Sequence, residues 1–360
     1  MADAEVIPLS VPLGTRGRPG RGSRNATPSQ AARSLAPAKS GPKSRRPARG
    51  PSVPVDPPRP VSAVGQVDPS APATEQTAPP AAADAGRDRL AAALAFLRRR
   101  LTGDYDVDEL GFDRELTSTV FMSILRPLAT KWFRIEVRGV ENIPADGGAL
   151  LVANHSGTVP VDALMTTVVV HDHARRHLRS LGADLVFALP VVSELARKGG
   201  ATLACNDDAE RMLAAGELVG VWPEGFKGVG KPYSERYKLQ RFGRGGFVSA
   251  AIRTGVPIVP CSIVGAEEIY PLVGNVPTVA RLLGLPYLPV TPFFPWFGPL
   301  GLVPLPSKWV IEFGEPIRTD SYPEGGADDP MLVFNLTDQV RETIQQTLYD
   351  LLVHRKHIFF

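Results

Sequence analysis

Past residue 134 the chain switches repeatedly between short apolar runs and longer stretches with helical spacing, and this alternation constrains its fold more than any other feature. Apolar runs of strand length occupy 135–138, 149–153, 184–188, 201–205, 218–222, 257–264 and 309–313. Helical stretches at 162–173, 207–215 and 245–254 fall between them. Residues 328–352 close the chain, with Val340, Ile344, Leu348 and Leu351 or Leu352 at amphipathic spacing. Strands separated by helices predict an α/β domain over 135–356, built on a mainly parallel sheet flanked by helices. No internal repeat interrupts the pattern.

The first 86 residues read differently. Residues 1–85 hold 16 of the 36 prolines and no aromatic residue, the first being Phe96. Such a stretch cannot bury enough apolar surface to offset the entropy of ordering it, so a disordered tail is expected over 1–86. Residues 1–60 carry eleven Lys or Arg against three Asp or Glu, whereas the whole chain is only +3, so the folded body is net acidic. A basic tail with no interleaved aromatics gives no reason to expect a nucleic-acid partner. Cys205 and Cys261 are the only cysteines and show no CxxC spacing, which excludes a disulfide framework and a zinc ribbon and fits a reducing cytoplasm. No secretory signal and no run of 18 apolar residues is evident, so no membrane span is expected.

Between tail and domain, residues 87–134 predict a short helical segment. Leu90, Leu94, Leu97 and Leu101 recur at helical spacing, and Phe121, Met122, Ile124, Leu125 and Leu128 follow among Arg126 and Lys131. Both stretches suit helices lying on a bilayer surface and suit helices packed on the domain. Residues 283–306 are apolar but broken by seven prolines, with Phe293, Phe294, Trp296 and Phe297 clustered inside. Proline excludes a spanning helix there. An aromatic loop at the headgroup level and a buried connection over the core both remain open.

Three segments carry candidate chemistry. The run at 149–153 leads into Asn154-His155-Ser156-Gly157-Thr158-Val159-Pro160-Val161-Asp162, which puts His155 at the carboxyl end of a strand, where open α/β sheets bind ligands. An imidazole there can take a proton near neutral pH, and a carboxylate nearby can fix its tautomer. The run at 218–222 leads into Trp222-Pro223-Glu224-Gly225-Phe226-Lys227-Gly228, a tight turn offering a carboxylate and a cation. The third, Gly255-Val256-Pro257-Ile258-Val259-Pro260, reads alone as a proline-bracketed strand edge.

In this order and spacing the three segments resemble the glycerolipid acyltransferase superfamily, which includes the lysophosphatidic acid acyltransferases. Its motifs are Asn-His-x4-Asp, Phe-Pro-Glu-Gly-x-Arg and an apolar Val-Pro-x-x-Pro strand, and the likeness extends over roughly residues 130–320. The resemblance implies that His155 is the general base and Asp162 its partner. It implies that Glu224, Gly225 and Lys227 contact the acceptor, and that 257–260 is a structural strand beside the acyl pocket. Backbone donors near Gly157 or Gly225 would hold the oxyanion. It further implies a membrane lipid acceptor, an acyl thioester donor on coenzyme A or acyl carrier protein, no metal or redox cofactor, and a peripheral location on an anionic, cytoplasmic membrane face.

Three departures from the family pattern bear on the substrate. Six residues, not four, separate His155 from Asp162, a longer gap that occurs in the branch resembling diacylglycerol acyltransferase-like proteins. Trp222 and Lys227 stand where the family usually has Phe and Arg, and lysine lacks the bidentate fork that suits phosphate. Asn206 ends the segment where the family's second motif usually ends in Arg. Weaker phosphate contacts make a neutral lipid alcohol an option beside a phosphorylated one.

Lys231, Arg236, Lys238, Arg241 and Arg244 follow the Glu224 turn as a basic stretch, a site for donor phosphates or anionic headgroups or else a solvated loop. His171, His173 and His177 lie among Arg175, Arg176 and Arg179, which disfavours a bound cation, so no metal is expected. Two rival functions stay open. One is a non-catalytic lipid-binding protein on the same fold. The other is a hydrolase, against which the lack of a Gly-x-Ser-x-Gly elbow argues.

Overall fold

The computed structural model describes residues 82–282, 284 and 287–359. The tail expected over 1–86 therefore lies, apart from residues 82–86, outside the described residues. Those five open the helix Ala82–Thr102, which starts earlier than the expected boundary at 87.

Nine strands follow: β1 (Glu136–Arg138), β2 (Ala149–Ala153), β3 (Leu178–Gly182), β4 (Thr202–Leu203), β5 (Leu218–Val221), β6 (Ile258–Val264), β7 (Gly274–Asn275), β8 (Pro289–Val290) and β9 (Val310–Phe313). Seven of them form one sheet in the order β1-β9-β6-β2-β5-β3-β4, and β7 and β8 pair separately. The five strands from β6 to β4 are mutually parallel. At the other edge β9 runs antiparallel to β6, and β1 runs parallel to β9.

Two layers of helix cover the sheet, so its central strands are apolar on both faces. Every residue of β2 and β6 is buried. Ala149, Leu151 and Ala153 of β2 join Val259, Cys261 and Ile263 of β6 on one face, packed against Met165, Val168 and Val169. Leu150 and Val152 point the other way, with Ile258 and Val264, toward Met212, Leu213, Val248, Val340, Ile344 and Leu348. The second layer thus consists of Asn206–Ala214, Gly246–Thr254 and the closing helix Pro330–His354, as the amphipathic spacing anticipates.

The two stretches of 87–134 part ways. Leu90, Leu94, Leu97 and Leu101 are exposed, whereas residues 114–132 form a helical run whose Met122 and Ala129, with Phe133, enter the first-face core. One expected strand is corrected. Residues 184–188 form a short helix, Asp184–Ala188, and the strand beside β5 is instead β3. An uninterrupted apolar run cannot distinguish strand from helix by period, and β3 was masked by Arg179 and Gly182. Arg179 is nevertheless buried there, its guanidinium 2.6 Å from Asp108 and its Nε donating to Gly200 O.

The proline-broken segment is not a buried connection. Phe293, Trp296, Phe297, Leu300 and Val303 are all exposed, while the Trp132 indole N–H, bonded to Pro304 O at 3.0 Å, ties the segment to the 114–132 run. Residues 283, 285 and 286 lie outside the described set.

Candidate active site

Because β6, β2 and β5 are adjacent and parallel, the chain leaves all three at one edge of the sheet. That edge gathers Asn154 and His155 after β2, Trp222 to Gly225 after β5, and Gly265 to Glu268 after β6. Asn154 locks its loop to β6: its fully buried amide donates to Ile263 O at 3.0 Å and accepts from Ile263 N–H at 2.7 Å.

Asp162 returns to His155 across the six-residue gap. Thr158 takes φ +57 and Gly157 φ +92, and the bulge is pinned by the Thr158 N–H on Val229 O at 3.2 Å and by the Tyr287 hydroxyl on Thr158 O. The helix Val161–Val169 then carries Asp162 in its first turn, fully buried. His155 Nδ1 lies 2.7 Å from Asp162 Oδ2, which also accepts the Ser156 N–H at 2.9 Å, while Oδ1 accepts the Ala163 N–H at 2.9 Å. An acceptor-only carboxylate fixes the proton on Nδ1 and leaves Nε2 with its lone pair. Among the described residues nothing bonds Nε2. The imidazole side chain is 14% exposed, and its outer wall is the ring of Trp222, centroids 6.0 Å apart.

Glu224 sits behind His155. Its side chain is fully buried, Oε1 accepts the His155 main-chain N–H at 2.8 Å and Oε2 accepts the Gln240 N–H at 2.7 Å. Lys231 is no surface cation either: its buried ammonium lies 3.5 Å from Glu224 Oε2 and 3.2 Å from Glu267 Oε1. A buried lysine held between two carboxylates has no donor left facing solvent for a headgroup. Burial pushes Glu267 up to about 7, against the pull of Lys231. Gly228 makes this packing possible, since a Cβ there would lie 2.7 Å from Glu224 Cβ and 2.8 Å from His155 O.

The structure therefore brings together His155, Asp162, Glu224 and Lys231. It leaves Lys227, Arg236 and Lys238 exposed, with Arg236 stacked over the Tyr233 ring at 4.5 Å. Arg241 lines a separate cleft. The Gly225 N–H closes its own turn on Trp222 O at 3.0 Å, whereas the Gly157 N–H makes no hydrogen bond among the described residues. Asn206, at the family's second-motif arginine position, opens the helix Asn206–Ala214. His171 bonds Asp172 at 2.9 Å, and burial lowers His177 to about 4 beside Phe112. Sequence reasoning missed Asn154, Glu267 and Tyr287. Of these only Asn154 carried a signal, its place beside the histidine.

A ring nitrogen held by a buried carboxylate, with no side chain bonded to the other ring nitrogen among the described residues, suits direct transfer to an acceptor hydroxyl. A solved structure, the 1-acyl-sn-glycerophosphate acyltransferase of Thermotoga maritima, aligns with a TM-score of 0.44 at 20% identity, covering 66% of this chain and 80% of that one. A human protein described as a DGAT1/2-independent enzyme synthesizing storage lipids is 29% identical over 193 residues, 53% of this chain and 56% of its own length. An uncharacterized protein of Mycobacterium tuberculosis is 63% identical over 273 residues, 75% of this chain and 76% of that one. The acyltransferase family profile matches residues 134–264, the span that holds His155, Asp162 and Glu224. With that histidine and carboxylate arrayed along a mainly parallel sheet, the chain belongs to the glycerolipid acyltransferase superfamily and is an acyltransferase.

Proposed function

We propose that this lipid acyltransferase moves a fatty acyl group from a thioester, on coenzyme A or acyl carrier protein, to the hydroxyl of a neutral acylglycerol at the cytoplasmic face of a membrane. The observation that carries the reading is His155, its Nδ1 committed to buried Asp162 and its Nε2 unpartnered at the carboxyl edge of the sheet. The acceptor hydroxyl donates to Nε2, and the imidazole takes that proton as the oxygen attacks the thioester carbonyl. Asp162 stabilises the imidazolium so formed. The Gly157 N–H is the candidate donor to the oxyanion. Collapse breaks the C–S bond, and the imidazolium proton goes to the leaving thiolate.

The state of the cations supports a neutral acceptor. Lys231 is tied to Glu224 and Glu267, and Lys227 is exposed without the fork that grips phosphate. The human relative, described as an enzyme synthesizing storage lipids, points the same way. Peripheral docking is supported by the exposed Phe293, Trp296, Phe297, Leu300 and Val303. Among the described residues no helix is long and apolar enough to cross a membrane.

The test supplies labelled acyl-coenzyme A or, separately, labelled acyl-loaded acyl carrier protein to vesicles with monoacylglycerol, diacylglycerol or lysophosphatidic acid, using the parent chain and His155→Ala. Acylated neutral lipid that disappears in the variant is the expected result. Product from lysophosphatidic acid alone would overturn the acceptor assignment. Absence of His155-dependent product from either donor would overturn the mechanism in favour of a lipid-binding role.

A further inference from the structure

A cleft of about 650 Å³ opens on the second helical layer, between the loop 241–245 and the closing helix. The helix presents one stripe to it, Pro330, Val333, Phe334, Thr337, Asp338 and Arg341, at the i, i+3, i+4 spacing of a single face. Gly245 lets the loop close on that stripe: it takes φ +78, and a Cβ would lie 2.6 Å from Val333 Cγ1.

Three guanidiniums, Arg241, Arg244 and Arg341, line the cleft against one carboxylate, Asp338. Several arginines elsewhere are neutralised, as Arg126 by Asp172, Arg253 by Glu210 and Arg355 by Glu268, and others, such as Arg134 and Arg176, donate only to main-chain carbonyls. Among the described residues none of the three cleft arginines has an ion-pair partner. Their floor is apolar, with Phe242 and Val333 buried, and Phe334 stands half-exposed at the rim as a stacking surface. Forked cations around an apolar floor select a ligand that carries both phosphate and a flat ring, and the volume lies within the range of small-molecule sites, about 300–1,000 Å³.

The cleft is joined to the catalytic turn by main chain. The Gly243 N–H donates to Pro223 O at 3.2 Å, and the Gln240 N–H donates to Glu224 Oε2 at 2.7 Å. It also lies on the opposite layer from the 114–132 run to which the exposed aromatic segment is tied.

We infer that this cleft seats the phosphate-bearing nucleotide of the thioester donor, so that the donor is a nucleotide thioester of the coenzyme A class and not an acyl carrier protein. The inference rests on the transferase reading and adds the site and the carrier. No group transfer occurs in the cleft, which holds the carrier while His155 acts on the acyl end.

Calorimetry of the full chain with coenzyme A and with its form lacking the 3′-phosphate tests it without turnover. Arg241→Gln, Arg244→Gln and Arg341→Gln are each expected to weaken coenzyme A binding about tenfold. Loss of the 3′-phosphate should weaken binding to the parent and matter less in the triple variant. Arg318→Gln, on an exposed pair with Asp320, is expected to bind as the parent does. His155→Ala should also bind, which separates the two readings. Binding without any transfer by the parent would sink the enzyme assignment and leave the cleft standing. Transfer by the parent with arginine variants that bind coenzyme A normally would remove the cleft and leave the enzyme. Tracking of the arginines by binding to phosphatidylglycerol vesicles or to acyl carrier protein, and not by coenzyme A, would overturn the nucleotide assignment.

Discussion

Replacing Glu224 by Gln separates two roles for a residue that family resemblance places at the acceptor. In the structure its carboxylate is saturated from within, accepting the His155 N–H at 2.8 Å and the Gln240 N–H at 2.7 Å and facing Lys231 at 3.5 Å. Glutamine fits the same space but has one acceptor oxygen. Its NH2 must then confront one of the two backbone N–H groups, donor against donor. A buried donor without a partner costs about 1–3 kcal/mol. Lys231 also loses one of its two carboxylates, though Glu267 remains at 3.2 Å, so the penalty stays below the 3–5 kcal/mol of a fully broken buried pair. The sum is a destabilisation of about 3 kcal/mol, measurable by urea unfolding. The histidine loop shifts with it, and a displacement of about 1 Å costs on the order of 100-fold in rate. The expected signature is a fall in kcat and in stability with little change in acceptor KM. A Glu224→Gln protein that is destabilised by less than about 1 kcal/mol yet shows a raised acceptor KM would refute the clamp and return Glu224 to the acceptor.

Three further perturbations follow from the same geometry. Asp162→Asn should lower kcat about 10²- to 10⁴-fold, because the amide no longer fixes the Nδ1–H tautomer, and normal turnover would exclude Asp162 as the partner of the base. Gly228→Ala should disable the site, since its methyl meets Glu224 Cβ and the His155 carbonyl inside 3 Å, and a variant with parental kcat would show that the packing yields. Glu267→Gln tests linkage. The folded state holds Glu267 near about 7 against an ordinary 4.5, so between those values it binds more protons than the unfolded chain. This group's contribution to stability is then present below about 4.5 and lost as pH rises through about 7, by up to about 3 kcal/mol. The unfolding free energy of the variant minus that of the parent should therefore rise across that window, and a flat difference would show that Glu267 ionises normally.

The central strands were legible because β2 and β6 are buried on both faces, which demands largely apolar runs, and each is followed by a turn that marks its end. The closing helix announced itself through Val340, Ile344 and Leu348 for the same reason. Legibility failed where the environment reverses a residue's ordinary preference. Lys231 read as a surface charge, since only the convergence of Glu224 with Glu267, 36 residues beyond Lys231, makes its burial tolerable. Arg179 hid β3 in the same manner. Strand-end motifs located His155 and Asp162, but the residues that brace them come from elsewhere in the chain. Tyr287 reaches Thr158 across 129 positions, a separation no local pattern encodes.

His155 is flanked by contacts that reach far ahead in the chain: Asn154 waits for Ile263, 109 residues on, and the His155 main chain waits for Glu224, 69 residues on. During synthesis the histidine and its aspartate emerge early and close together, yet neither brace exists until β5 and β6 have been made and docked. In the proposed mechanism, reactivity toward thioesters is in this way deferred to the finished sheet. A chain that ends before Ile263 carries His155 and Asp162 without the Ile263 contacts that hold their loop.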